Sequence, residues 1–200
     1  MSKIFGVSFI SSYIPRQCGI ATFTNDLAVS FNKIENGSII RSNITALNDN
    51  PEGYKYSQDV KFEIKDKSIN DFKEATYYLN LSDNDIINLQ HEFGLYGGEA
   101  GSHILYLLEN LKKPVVTTLH TVLEHPNEDQ LKVLQEINRY SSYIVVQSEK
   151  AFTMLSEVYS IPPEKIRFIP HGAHDVQFLD TTSYKDKFQL SEKKVLLTFG

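Results

Sequence analysis

Histidine, arginine, glutamate and glycine gather in a few short stretches of this chain, each directly after an apolar run. The first stretch, "SYIPRQCGIATF" (12–23), sets Arg16 three residues before Gly19. If a helix starts there, a residue without a side chain lets a ligand approach free backbone N–H groups at the positive end of the helix dipole. Arg16 adds a cation, so the stretch suits a phosphate or carboxylate. The plainer reading is that Pro15 and Gly19 only shape a turn. The second stretch is "QHEFGLYGG" (90–98), in which His91 and Glu92 precede a loop carrying Gly94, Gly97 and Gly98. Glycines at that density allow backbone to pack on backbone or on a ligand. His91 and Glu92 do not make a metal pair, because neighbours on a strand point to opposite faces. The third is "TTLHTVLEHP" (117–126), where His120 ends a β-branched run. A histidine there can donate to a sugar hydroxyl or phosphate, or act as a base, and the alternative is a satisfied structural histidine. Two further stretches, "QSEKA" (147–151) and "IPHG" (169–172), place Ser148 as a helix N-cap and His171 in a tight turn.

These stretches gain meaning from the elements that must hold them. Apolar runs of strand length recur at 3–10, 38–45, 59–65, 85–90, 114–120, 142–147 and 165–170. Helical spacing lies between most of them, at 20–33, 69–80, 99–112, 127–140 and 148–159. That alternation predicts an α/β fold: a Rossmann-like, mostly parallel sheet with helices on both faces. The link "ALNDNPEGYKYSQ" (46–58) is rich in turn formers and predicts a loop or an antiparallel excursion. In an open parallel sheet, ligands bind outside the carboxyl ends of the strands. Residues at strand exits are therefore candidates and residues at strand entrances are not. By that test Asp83-Asn84-Asp85, a spacing that could hold a divalent cation, falls at the wrong end of its strand and reads as a turn.

Composition narrows the function classes. A net charge of −5 gives no basic face for nucleic acid and argues against an anionic membrane surface. The opening "IFGVSFI" is too short to cross a bilayer and lacks a small-residue cleavage site, which predicts a cytoplasmic protein. Cys18 is the single cysteine, so no disulfide framework exists within the chain. A thiol nucleophile at Cys18 would need a fixed base that the sequence does not name. No G-x-G-x-x-G accompanies the first turn, so a nicotinamide dinucleotide site has no support, and no G-x-S-x-G elbow marks an α/β-hydrolase.

Taken in order, "YIPRQCGIATFTNDLA", "QHEFGLYGG", "TTLHTVLEHPNEDQ", "VVQSEKA" and "IPHGAHD" resemble the amino-terminal half of retaining glycosyltransferases of family 4, the group 1 transferases with the GT-B architecture. The nearest likeness is to a bacterial branch whose first loop reads P-R-x-C-G-I-A-T-F. The resemblance implies two Rossmann-like domains facing across a cleft, with a nucleotide-sugar donor held mainly by the second and the acceptor mainly by the first. It implies donor contacts from Arg16, Gly19, Ile20 and His171, and acceptor-side contacts from His91, Glu92, Phe93, Gly97 and Gly98. His120 would be the catalytic residue that contacts and places the transferred sugar. Transfer would retain configuration, assisted by the leaving phosphate, with no metal and no cofactor beyond the nucleotide sugar. The chain carries one glycine, Gly19, where many relatives have two. The expected organisation is an acceptor-side domain over 1–172, a crossover over 173–192, and the first strand of a donor-binding domain over 193–200, where "KKVLLTFG" opens a new apolar run.

The expected partners are therefore a nucleotide-sugar donor, a saccharide or other hydroxyl acceptor, and a carboxy-terminal domain without which the chain is inactive. Nucleic acid and a membrane are not expected. Two other readings stay open: a non-catalytic Rossmann-like module that holds a carbohydrate or nucleotide, and a nucleotide-sugar epimerase.

Overall fold

A computed structural model describes residues 4–34, 39–173, 177 and 179–198. They form two compact units, Met1–Pro170 and His171–Gly200. The first is built on seven strands: β1 (Ile4–Ser11), β2 (Ile39–Asn48), β3 (Val60–Lys65), β4 (Ile86–His91), β5 (Val115–Leu119), β6 (Tyr143–Val146) and β7 (Ile166–Phe168). Its helices are α1 (Gly19–Asn32), α2 (Ile69–Leu81), α3 (Ile104–Leu108), α4 (Glu128–Tyr140) and α5 (Glu149–Glu157). The strands lie in the order β3-β2-β1-β4-β5-β6-β7 and every neighbouring pair is parallel. The fold is thus α/β and Rossmann-like. Its chain direction across the sheet reverses between β1 and β4, which is where such sheets open a crevice at their carboxyl ends.

Register explains which helices lie on which face. Val7 and Phe9 of β1, with Ile44 and Ala46 of β2, pack with Ala28, Leu27 and Phe31 of α1. The alternate residues Ile10 and Leu47 turn to the other face and join Ile87 and Leu89 of β4 beneath α2 and α3. Leu119, Ile144, Val146 and Ile166 continue that second face under α4 and α5. One face therefore carries α1 and the other carries α2 to α5, as right-handed crossovers require when the order runs outward in both directions from β1. Caps fix where the helices begin. Ser68 accepts from the Asp71 N–H at α2, Asn127 and Gln130 form a reciprocal capping box at α4, and Ser148 accepts from the Ala151 N–H at 3.1 Å.

One expectation left open between two alternatives is resolved, and two others meet a different outcome. Residues 49–59 form a loop, but β2 and β3 run parallel, so no antiparallel excursion occurs there. The helix expected over 99–112 is divided into a 3₁₀ turn at Glu99–Gly101 and α3, because Ala100 and Gly101 take left-handed conformations that end a helix (φ 52° and 78°). In the second unit, α6 spans Thr182–Lys187, but residues 194–198 form no strand, and Leu196 is fully exposed. A strand needs a neighbour for its backbone groups, and the described residues supply none for 194–198. Residues 199–200 lie outside the described residues. No helix among the described residues is long and apolar enough to cross a membrane.

Candidate functional site

The carboxyl ends of β1, β4 and β5 meet at one rim, and each contributes a different kind of group. After β1 the chain turns through a loop held by the Arg16 N–H on the Tyr13 carbonyl, and enters α1 with Cys18 as its N-cap. A helix leaves its first N–H groups without intrahelical acceptors, so the start of α1, Gly19 to Ala21, brings its N–H groups to the rim, where those of Ile20 and Ala21 also reach the Cys18 thiol. A Cβ placed on Gly19 would meet nothing within 4 Å. A side chain there would project into open space, so the backbone at this exposed position can be approached from outside. Ile20 is half-buried, with its side chain packed against the core under α2 and α3.

Arg16 does not stand alone beside that opening. Its guanidinium pairs with Asp49 at 3.1 Å, and Asp49 also accepts from the Tyr54 hydroxyl at 2.7 Å. The pair ties the loop after β1 to the exit of β2, the neighbouring strand. Cys18 lies on the other side, its sulfur 3.6 Å from the Ser12 hydroxyl. Burial raises the thiol, but the N–H of Ala21, the Ser12 hydroxyl, the N–H of Ile20 and the Arg16 charge together outweigh it and hold the group below the ordinary thiol range.

His120 continues β5 by one residue, its N–H donating to the His91 carbonyl at 3.0 Å. Its ring lies on the α1 face, where it meets the ring of Phe23 edge-on at 5.0 Å. Its Nε2 is 2.7 Å from Oε1 of Gln90, and Gln90 in turn donates its amide N–H to Asn88 Oδ1. The register pairs Gln90 with Thr118, so Asn88, Gln90 and His120 lie on one face of adjacent strands. Gln90 is fully buried. Nothing in its residue type marks it in the sequence; only the strand register brings it to His120.

His91 takes the opposite face of β4. Its ring is fully buried, stacked on Tyr96 with centroids 6.0 Å apart and edge-on to Phe93 at 5.1 Å. Neither ring nitrogen has a hydrogen-bond partner among the described residues. Burial, and secondarily the neighbouring His120, push its pKa down from 6.5 to about 3. His91 is therefore a neutral interior ring, away from the open rim where an acceptor would be met. Phe93 likewise joins the apolar cluster of Leu119, Ile144 and Val146. Glu92 stays at the rim, half-buried, its carboxylate accepting from the Phe93 N–H and from the Thr121 hydroxyl. Thr121 thus joins the exits of β4 and β5, a role that its sequence position does not announce.

Gly97 and Gly98 have packing reasons of their own. Both take positive φ, and a Cβ on Gly97 would fall 2.1 Å from the Asp66 carbonyl oxygen, while one on Gly98 would fall 2.6 Å from the Ser102 hydroxyl. His103 closes the same loop through its Nδ1 on that Asp66 carbonyl at 2.9 Å. The loop after β4 is thus folded back over the exit of β3. His171 is the first residue of the second unit, outside the unit that carries the rim. Asp83-Asn84-Asp85 sits at the opposite end of the sheet, where the Asp85 carboxylate accepts from the Gly6 N–H at 2.8 Å. Among the described residues no three His, Cys, Asp or Glu side chains gather as a metal-binding group.

A helix N-terminus at the switch point, with a half-buried histidine one strand beyond β4, is an arrangement that could place an anionic ligand against a second group. Comparison with known proteins bears on that arrangement. No curated protein matches the chain. The family model for Glycosyltransferase Family 4 matches residues 70–176, a span that includes the exits of β4 and β5 with Glu92 and His120, and stops short of the loop after β1. Since the match takes in more than half of the chain, the chain belongs to Glycosyltransferase Family 4.

Proposed function

We propose that the chain supplies the acceptor-side domain of a retaining glycosyltransferase acting in the cytoplasm, which moves a sugar from a nucleotide-sugar donor to a saccharide or other hydroxyl acceptor. The observation that carries this reading is the open N-terminus of α1 beside His120, at the one place where the sheet order reverses. In this reading the N–H groups from Gly19 to Ala21 approach the donor diphosphate, with Arg16 held near by Asp49. His120 contacts the transferred sugar and fixes it for attack, and Glu92 with Thr121 forms the acceptor wall. The phosphate that leaves takes up the developing negative charge, so neither a metal nor a resident cofactor is called on. A second, carboxy-terminal domain completes the donor site, because stabilising a leaving diphosphate needs preorganised charge on both its sides.

The test is transfer itself. The full-length protein is incubated with nucleotide sugars and hydroxyl acceptors while nucleoside diphosphate release and the product's anomeric configuration are followed by NMR. Acceptor-dependent release with retained configuration is expected, with the 200 residues alone inactive. An inverted product, an isomerised sugar formed without acceptor, or robust turnover by the 200 residues alone would each contradict the reading.

A further inference from the structure

We propose that Gln90 is a positioning residue for His120, fixing which imidazole nitrogen carries the proton and therefore which one faces the transferred sugar. The inference rests on the reading of His120 given above and adds a residue to it. A neutral imidazole has two tautomers, and the hydrogen bond made by one nitrogen decides the role of the other. A carboxamide can accept through oxygen or donate through nitrogen, so a glutamine specifies a tautomer only if its own orientation is fixed. Here it is fixed. The Gln90 amide nitrogen donates to Asn88 Oδ1, which leaves Oε1 turned to His120 Nε2 at 2.7 Å.

The rest of the surroundings hold Gln90 still. Its side chain is fully buried, and its backbone carbonyl accepts from the Tyr96 hydroxyl, which also reaches the Ile10 carbonyl at 3.3 Å. β1, β4 and the loop after β4 are thereby joined at this residue. His120 is held by its own N–H on the His91 carbonyl, by Gln90, and by the edge of Phe23 from α1. With Nε2–H committed to Gln90, proton exchange on the neutral ring falls to Nδ1. A neutral carboxamide does this without adding charge, whereas a carboxylate in its place would also favour the imidazolium. The chain Asn88, Gln90, His120 thus orients the histidine while leaving its charge state to the ligand and the rim.

The experiment uses ¹⁵N-resolved imidazole spectra of the 200-residue chain, at a pH where His120 is neutral, assigned by comparison with His120→Ala. Wild type should show Nε2 protonated and Nδ1 bare. Gln90→Met, close in size but unable to accept, should give a mixed tautomer pattern, and Gln90→Glu, which still accepts, should restore the Nε2–H form even if the methionine variant fails to fold. In the full-length protein, Gln90→Met should lower kcat about tenfold or more with a smaller change in the donor KM, since a misaligned group costs rate more than binding. An Nδ1–H ring in wild type, or an unchanged pattern in Gln90→Met, would overturn the proposal. The spectra decide this whether or not sugar transfer is observed.

Discussion

In the full-length protein, His120→Ala is expected to lower sugar transfer by about a hundredfold or more, the range that losing the placement of a reacting group costs. The stability cost should be modest by comparison. The ring is half-buried at the rim, and its removal takes the hydrogen bond with Gln90 and the edge contact with Phe23. Water can enter from the open side to reach Gln90, so the loss should be about 1 kcal/mol, which for a chain of this length lowers the melting temperature by about 2–4 °C. Paired measurements of kcat and melting temperature check this. Unchanged turnover would make His120 a structural histidine, and a collapsed fold would make its catalytic assignment unnecessary.

The second large effect concerns acid. His91 titrates at about 3 in the folded chain because burial, aided by His120, disfavours its charged form, against 6.5 when unfolded. Between those values the unfolded chain binds a proton that the folded chain does not, so stability is fully present above pH 6.5 and is lost as the pH falls toward 3. The contribution of this one group between pH 8 and pH 5 is about 2 kcal/mol. His91→Leu should remove it. Because neither ring nitrogen has a partner among the described residues, an apolar side chain strands nothing, and the variant should be at least as stable as wild type at pH 8. Thermal melts across pH should then show wild type losing about 4–8 °C more than His91→Leu on going to pH 5. Parallel profiles would show that His91 has an acceptor or an opening in solution.

The contrast between these two histidines marks where sequence reasoning stops. Both follow apolar runs, and both stand at strand exits in the sequence. The strand periods and the turn-forming links were enough to expect a parallel sheet with candidate residues at its carboxyl ends. Which face each residue takes depends on the pleat, however, and on the exact end of the strand. β4 runs through His91, so its ring turns inward onto Tyr96, whereas β5 stops at Leu119 and leaves His120 at the rim. Gln90 was invisible for the same reason, since its partner comes from the β4–β5 register. The Arg16–Asp49 pair depends on β1 and β2 being neighbours, which spacing alone does not state.

Glycine was legible as a signal and ambiguous as to cause. Gly19 and Gly97 look alike in the sequence, but a side chain on Gly19 would project into open space and one on Gly97 would collide with the Asp66 backbone. Only the first leaves room for a ligand. The helix expected over 99–112 failed on local conformation: Ala100 and Gly101 break it, and hydrophobic periodicity does not register left-handed residues. Residues 194–198 show the reverse case, an apolar run with strand composition and no neighbouring strand among the described residues to pair with.

The central claim is that separate loops at the carboxyl rim of this one sheet form half of a sugar-transfer cleft. Hydrogen–deuterium exchange of the full-length protein, with and without a saturating nucleotide sugar that supports transfer, tests it most directly. The account predicts slowed exchange in peptides covering 12–21, 91–94 and 119–122, with the opposite end of the sheet around Gly6 and Asn84 unaffected. Slowing confined to that opposite end, or none at the rim while the sugar nucleotide is bound, would contradict it.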